Sequence, residues 1–163
     1  MRGNLSLNVR PVDLLALLNS AIEDMRPTIK VKGIQVELTF EDFTGQILGD
    51  GDRLRQVVSN LLFNALKFTP SGGQVQFRLY STGNYAQLQV SDTGIGISPD
   101  FLPYIFDRFR QEDSSITRKQ GGLGLGLAIA RHIIELHGGT IGAFSDGEGK
   151  GATFTLQLPL LNS

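Results

Sequence analysis

Residues 55–69 read RQVVSNLLFNALKFT, and this stretch decides how the chain can fold. Its apolar residues recur every three or four positions, which predicts one amphipathic helix with a continuous buried stripe. The stripe consists of Leu54, Val57, Val58, Leu61, Leu62, Ala65 and Leu66. A polar line is predicted on the opposite side of the helix, formed by Gln56, Asn60, Asn64 and Lys67.

The two asparagines of this helix need an explanation, because asparagine is a weak helix former. A solvated helix face usually carries Glu, Lys and Arg instead. Two neutral amides, Asn60 and Asn64, suit a partner that wants uncharged oxygens nearby. Magnesium is such a partner when phosphates supply the negative charge, since it takes only one or two protein oxygens. A plain solvated face remains the alternative, and this helix alone does not decide between the two.

A second candidate lies in VSDTGIGIS, residues 90–98, where Asp92 ends a predicted strand and Gly94 and Gly96 follow. The functional interpretation is that Asp92 accepts a hydrogen bond from an exocyclic amine. The glycines would then let the backbone approach a flat ring closely. The alternative is an ordinary turn, because an Asp-x-Gly-x-Gly match is weak by itself.

A third candidate is GGLGLGLAIA, residues 121–130, which places Gly122, Gly124 and Gly126 at the opening of a helix. Each glycine destabilises a helix by about 1 kcal/mol relative to alanine. Phosphate binding would offset this cost, because free N–H groups at a helix N-terminus attract anions and glycines allow close approach. A flexible hinge is the alternative. The polar residues 110–121 before this helix are predicted to form a mobile loop that could close over the phosphates.

The rest of the chain alternates between strand-like and helix-like patterns. Strands are predicted around residues 5–9, 34–40, 47–48, 75–79, 86–90, 140–145 and 152–158. Further helices are predicted from about Asp13 to near Pro27, within residues 99–109, and from Leu123 to Leu136. We therefore expect an α/β two-layer sandwich, with a mixed sheet covered on one face by about three helices.

The composition narrows the functional class. The net charge is −1, which gives no support to nucleic-acid binding or to direct membrane contact. The chain contains no cysteine, which excludes disulfides and thiolate chemistry. It has no apolar run that could span a bilayer. We expect a soluble, cytoplasmic domain.

Together these segments resemble the catalytic and ATP-binding domain of sensor histidine kinases, a branch of the GHKL ATPases with the Bergerat fold. The resemblance covers nearly the whole chain. RQVVSNLLFNALKFT resembles the N box, DTGIGI the first glycine box, IFDRF the F box, GGLGLGLAI the second glycine box, and GKGATF the C-terminal glycine motif. Each motif is short, but their order and spacing together are specific.

The resemblance implies a role for each matching position. It makes Asn64 the magnesium ligand, with Asn60 beside the phosphates and Lys67 in contact with them, as the three catalytic residues. It also places Phe68 and Asp92 against the adenine. The other implied nucleotide-binding residues are Gly94, Gly96, Ile97, Phe109, Arg110, Gly122, Leu123, Gly124, Leu125, Gly126 and Thr153. Within this set Thr153 is expected near the adenine and the second-box glycines around the phosphates.

Two departures from the family pattern matter. The F box often continues with Tyr-Arg, whereas this chain has Arg110-Gln111, so Arg108, Arg110 or Arg118 is left as the candidate phosphate contact. The chain also has only His132 and His137, neither in the acidic context of a phosphoacceptor. His137 is expected to cap its helix C-terminus. Residues 1–163 are therefore expected to form a single domain whose phosphoacceptor hairpin lies upstream in a parent kinase.

The implied function is binding of ATP and Mg²⁺ and transfer of the γ-phosphate to a histidine on that separate dimerisation hairpin. A downstream response regulator is the further implied partner. One alternative is an ATP-driven switch of the same superfamily, but those members hydrolyse ATP with a glutamate on the N-box helix. Here the corresponding face carries Gln56 and Asn60. The other alternative is a non-catalytic module that senses nucleotide.

Overall fold

The computed structural model describes residues 6–41, 46–107 and 123–161. Within them lie strands β1 (Arg10–Val12), β2 (Gln35–Glu41), β3 (Ile47–Gly49), β4 (Gln74–Thr82), β5 (Tyr85–Asp92), β6 (Thr140–Phe144) and β7 (Ala152–Pro159). The helices are α1 (Leu14–Asp24), α2 (Arg26–Lys32), α3 (Gly51–Phe68) and α4 (Leu123–Leu136). A short 3₁₀ helix spans Leu102–Tyr104.

The main sheet has five strands in the order β2-β4-β5-β7-β6. Strand β2 runs parallel to β4, and the other neighbours are antiparallel. Strands β1 and β3 form a separate antiparallel pair. The predicted two-layer sandwich with a mixed sheet and helices on one face is confirmed.

Alternation along the strands explains why only one face is covered. In β4, Val75, Phe77 and Leu79 are buried, whereas Gln74, Gln76 and Arg78 are exposed. Successive strand residues point to opposite faces, so the apolar set forms one side of the core. The buried stripe of α3, predicted as Leu54 to Leu66, closes that core from the other side and is confirmed.

Three predicted boundaries were wrong. The first helix ends at Asp24 rather than near Pro27, because Pro27 lies in the first turn of α2, where its missing N–H removes no hydrogen bond. The first strand is Arg10–Val12, paired with β3, rather than residues 5–9. Within residues 99–107 the predicted helix is only the 3₁₀ turn Leu102–Tyr104. The predicted loop at 110–121 lies outside the described residues.

Candidate functional site

An open pocket lies between the second half of α3, the end of β5 and the start of β7. It encloses about 340 Å³ including its mouth, which falls at the lower end of small-molecule sites. Its walls are mainly apolar with a few polar groups. The lining residues are Leu61, Asn64, Ala65, Phe68, Asp92, Gly96, Ile97, Ala152 and Phe154. The structure thus brings together Asn64, Phe68, Asp92, Gly96 and Ile97 from the sequence-predicted set.

Asn64 reaches this pocket because it borders the buried stripe of α3. It lies three residues after Leu61 and four before Phe68, and residues at these spacings share one side of a helix. The predicted position opposite the stripe was therefore wrong for Asn64. The exposed face of α3 carries Gln56, Phe63 and Lys67 instead. An amide at the edge of the stripe can face a ligand that also contacts the apolar wall.

Asp92 provides the carboxylate of the pocket. It is the last residue of β5, and its Oδ1 accepts a hydrogen bond of 2.8 Å from the Gly94 N–H. Burial raises the pKa of the Asp92 carboxyl, and hydrogen bonds from the N–H groups of Gly94 and Ala152 partly offset that rise. A partly buried carboxylate held by a turn is a well-oriented acceptor for an N–H donor on a ligand.

Gly94 and Gly96 are needed for a reason that the sequence did not predict. A Cβ on Gly94 would lie 2.2 Å from the Phe68 carbonyl oxygen, and one on Gly96 would lie 2.1 Å from the Gly147 carbonyl oxygen. Gly96 also has a positive φ of 74°. The missing side chains therefore let backbone segments meet closely at both positions. Contact between these glycines and a nucleotide stays a prediction.

Ser145 fastens the turn after β6 to the pocket, and the sequence analysis missed it. Its Oγ accepts a hydrogen bond of 3.0 Å from the Ile97 N–H. The same hydroxyl donates to the Gly151 carbonyl at 2.7 Å. Ser145 thereby fixes Ile97 against the start of β7. A serine before the Asp146-Gly147 turn was the available signal, because such hydroxyls often bond nearby backbone groups.

Asn60 does not line the pocket. Its Nδ2 donates a hydrogen bond of 3.3 Å to the Gly126 carbonyl, in α4. Gly126 has space around it, since the nearest atom to an added Cβ would be Asn60 Nδ2 at 3.9 Å. The structure therefore joins the N-box and second glycine-box segments through one amide. A phosphate role for either residue stays a prediction.

Lys67 and Thr153 require separate comment. The Lys67 Nζ lies 5.8 Å from the centroids of both the Phe63 and the Phe68 rings, on the exposed side of α3. Thr153 lies on the outer face of the sheet, where its Oγ1 is 3.0 Å from Ser91 Oγ. Ala152, the preceding residue, faces the pocket. The Thr153 side chain thus faces away from the pocket, because strand neighbours face opposite ways, and a place for Thr153 near the adenine stays a prediction.

Several of the predicted nucleotide-binding residues lie outside the described residues or at the start of α4. Phe109, Arg110 and Gly122 are outside the described residues, as are the alternative phosphate contacts Arg108 and Arg118. Leu123, Gly124 and Leu125 form the first turn of α4. Phe106, the first phenylalanine of the F box, packs edge-on against Phe154 with ring centroids 6.1 Å apart and contributes to the core.

The side chains around the pocket can be compared with the ligands that magnesium requires. Among the described residues, no group of three or more His, Cys, Asp or Glu side chains could hold a metal ion together. A cation at this pocket would need oxygens from its ligand as well as from Asn64. Magnesium with phosphate fits this arrangement, since the ion keeps several waters and takes few protein oxygens.

Comparison with known proteins identifies the family. The model of the histidine kinase-, DNA gyrase B- and HSP90-like ATPase family matches residues 49–162. The chain is 40% identical over 159 residues to the circadian input-output histidine kinase CikA of Synechococcus elongatus, covering 96% of the chain and 21% of that protein. It is 37% identical to the signal transduction histidine-protein kinase BaeS of Escherichia coli, covering 97% of the chain and 33% of that protein.

Solved structures agree with these sequence matches. A full-length ShkA structure in complex with AMPPNP superposes with a TM-score of 0.83 at 34% identity, covering 99% of the chain and 33% of that protein. The mycobacterial sensor histidine kinase MprB superposes with a TM-score of 0.80 at 30% identity, covering 94% of the chain and 99% of that structure. The chain spans only about a fifth to a third of the length of the two curated relatives. It belongs to the histidine kinase-, DNA gyrase B- and HSP90-like ATPase family, as a domain of the histidine kinase type.

Proposed function

We propose that this domain binds ATP with magnesium and donates the γ-phosphate to a histidine on a separate helical hairpin of a parent sensor kinase. The observation that carries the proposal is the pocket in which Asn64, Phe68 and Asp92 meet. Phe68 and the apolar wall offer a surface for a purine, and Asp92 offers an acceptor for its exocyclic amine. Asn64 stands at the side of the pocket nearest the exposed face of α3.

Each residue would contribute positioning rather than covalent chemistry, as phosphoryl transfer requires. Asn64 would hold magnesium, which neutralises phosphate charge when bound. The N–H groups in the first turn of α4 and the Lys67 ammonium would attract the phosphate oxygens. Arg110 is proposed as a further contact. The proton on the acceptor histidine would be handled by the other domain.

The acceptor is proposed to lie outside this chain. His137 has both ring nitrogens engaged, with Nδ1 2.8 Å from the Ile133 carbonyl oxygen and Nε2 accepting from the Asp50 N–H at 3.0 Å. His132 is exposed on α4. We propose that residues 1–163 act as one domain in the cytoplasm, together with the parent's dimerisation hairpin and a response regulator. Among the helices that the structure describes, none is long and apolar enough to cross a membrane.

A hydrolytic switch is the competing function. Asp92 is the one carboxylate among the described residues that line the pocket, and it lies at the proposed adenine end. On α3 the side chains one turn from Asn64 include Asn60 and Lys67, and neither supplies a carboxylate that could activate water. This arrangement favours transfer to a protein acceptor over ATP hydrolysis.

Nucleotide binding can be tested by thermal unfolding. ATP with magnesium at a hundred times its dissociation constant should stabilise the domain by about 2.7 kcal/mol. For a domain of this size that corresponds to about 5–10 °C in Tm. GTP should give a smaller shift, because a carbonyl replaces the amine that Asp92 would accept. No shift with millimolar ATP and magnesium would rule out the proposal.

Phosphoryl transfer needs a second experiment. Radiolabelled ATP should leave the 163-residue chain unlabelled but should label an added hairpin from the same parent. Binding without transfer would instead support the nucleotide-sensing module. Acid-labile label on His132 would contradict an acceptor in another domain.

A further inference from the structure

Helices α3 and α4 are joined by hydrogen bonds at two separate levels. At one level Asp50, the N-cap of α3, meets His137, directly after α4. At the other, Asn60 meets Gly126. Ten residues separate the contacts along α3 and eleven along α4, so the helices run antiparallel and the contacts are about 15 Å apart.

The Asp50–His137 junction joins a buried carboxylate residue to a partly buried imidazole. The Asp50 N–H donates to His137 Nε2 at 3.0 Å, so the neutral ring carries its proton on Nδ1, which donates to the Ile133 carbonyl at 2.8 Å. A Cβ on Gly49 would lie 2.7 Å from His137 Cδ2, so the ring has no room to shift toward β3. One imidazole thus ties the C-terminus of α4 to the N-terminus of α3.

Asp50 anchors its own side of the junction. Its Oδ1 accepts hydrogen bonds from the N–H groups of Asp52 and Arg53, and its Oδ2 accepts one from Asn8. The Asn8 N–H is the largest cause of a lowered Asp50 pKa, which burial opposes. The carboxylate therefore caps the first turn of α3 and ties it to the segment before β1.

The Asn60–Gly126 hydrogen bond involves α4, whereas the described walls of the pocket come from other elements. The pocket's described lining residues belong to α3, to the end of β5 with its following turn, and to β7, and none of them is among residues 126–136 of α4. The first turn of α4, by contrast, is held at Gly126 by Asn60. A shift of α4 along α3 would therefore change the phosphate end of the site and leave the base end intact.

We infer that His137 is a positioning residue for the phosphate end of the nucleotide site, acting through the placement of α4. This inference rests on the proposed function. The Asp50–His137 junction sets the position of α4 along α3. The Asn60–Gly126 hydrogen bond transmits any change in that position to the part of α3 that carries Asn64. His137 touches no reacting atom, and its effect is confined to ligands that carry phosphates.

Two substitutions at one position separate the roles of the ring nitrogens. His137→Gln places an amide oxygen near the site of Nε2 and can still accept from the Asp50 N–H. His137→Asn is too short to reach it and keeps only a group near Nδ1. His132→Asn, on the exposed side of α4, is the matched control. All four proteins are compared as the 163-residue chain, by calorimetry with ATP and magnesium and by ligand-observed NMR with adenosine.

The expected result is selective. His137→Asn should weaken ATP–magnesium binding by about three- to tenfold, the range that loss of one hydrogen bond gives. Adenosine binding should be unchanged, and His137→Gln should restore most of the ATP affinity. Combining His137→Asn with Asn60→Ala should cost less than the sum of the two changes, whereas independent sites this far apart would add.

Other outcomes would overturn the inference. Equal losses for ATP and adenosine, or a fall in Tm with no change in either affinity, would mean that the junction is only structural. If His137→Asn does not fold, Gly49→Ala tests the same point, because its methyl group displaces the ring and should give the same selective loss. If the unaltered chain does not bind ATP, the proposed function is refuted instead. The wild-type measurement distinguishes this outcome from a failure of the inference about His137.

Discussion

At the scale of single residues, Asn64 carries the sharpest prediction. Asn64→Ala should abolish the gain in ATP affinity that magnesium gives, a loss of about tenfold to a hundredfold, because a charge-assisted contact is removed. The fold should persist, since Asn64 is partly exposed at the edge of the buried stripe. The measurement is ATP affinity with magnesium and with EDTA. Gln56→Ala, on the exposed face of the same helix, should change neither value, and equal losses in both conditions would make Asn64 structural.

The Asp92 carboxylate is expected to lower the free energy of unfolding while it contributes to adenosine binding. Its folded pKa lies above the ordinary value of 3.8, so the folded state binds the proton more tightly than the unfolded state does. The free energy of unfolding therefore falls as the pH rises from about 3.8 through the folded pKa. Asp92→Asn removes this titration while keeping an oxygen for the Gly94 N–H. The variant should gain stability relative to wild type as the pH rises, and should lose adenosine affinity.

Urea unfolding between pH 3 and pH 8 measures the effect at Asp92. The stability gap should be smallest at the acid end and level off above the folded pKa. Asp100→Asn, at an exposed position, should track the wild type throughout. A difference in stability that is constant with pH would show that burial does not raise the pKa of the Asp92 carboxyl.

At the scale of elements, the C-terminus of α3 depends on α2. The Lys32 Nζ donates to the carbonyl oxygens of Leu66 at 2.6 Å and Lys67 at 3.4 Å, in the last turn of the helix, where carbonyl groups are commonly capped from outside. Lys32→Met should lower the free energy of unfolding by about 1.5–3 kcal/mol, because charged hydrogen bonds are lost. Lys30→Met, exposed on the same short helix, is the control. Indistinguishable urea midpoints for the two variants would contradict a capping role.

The elements also show what the sequence could and could not predict. Periodicity was sufficient for α3, α4 and the β4–β5 hairpin, because each has one continuous buried face. Helix α2 was not predicted, since Pro27 was taken as the end of a helix although it also suits the first turn of a new one. The alternation of Ala152, Phe154 and Leu156 along β7 was sufficient to predict that the Thr153 side chain faces away from the core. The family resemblance gave no information about this orientation.

For the site, the limit of prediction was tertiary packing. Asn64 and Asp92 could be chosen from residue type and spacing because each belongs to a short local motif, whereas Phe68 was implied by the family resemblance. The Asn60–Gly126 hydrogen bond joins residues 66 positions apart, and no local pattern specifies how two helices will pack. The backbone contacts of Gly94 and Gly96 were hidden for the same reason.

At the scale of the whole molecule, the region matched by the family model is not expected to fold alone. The match begins at residue 49, which leaves out α1 and β2. Helix α1 buries Leu14, Leu18, Ala21 and Ile22, and β2 covers the edge of β4 along its length. A chain of residues 49–162 should lack a cooperative urea transition and should aggregate through the uncovered edge of β4. A transition matching that of the full chain by circular dichroism would contradict this expectation.

The place of β7 in the sheet has a consequence for biosynthesis. The last strand of this domain to be synthesised is not at an edge of the sheet but is inserted between β5 and β6, and it brings Ala152 and Phe154 to the pocket. Earlier strands of the domain must therefore wait with a gap in the sheet until β7 has left the ribosome. The pocket is complete only at that point, so a nucleotide can bind there only after the whole domain has emerged.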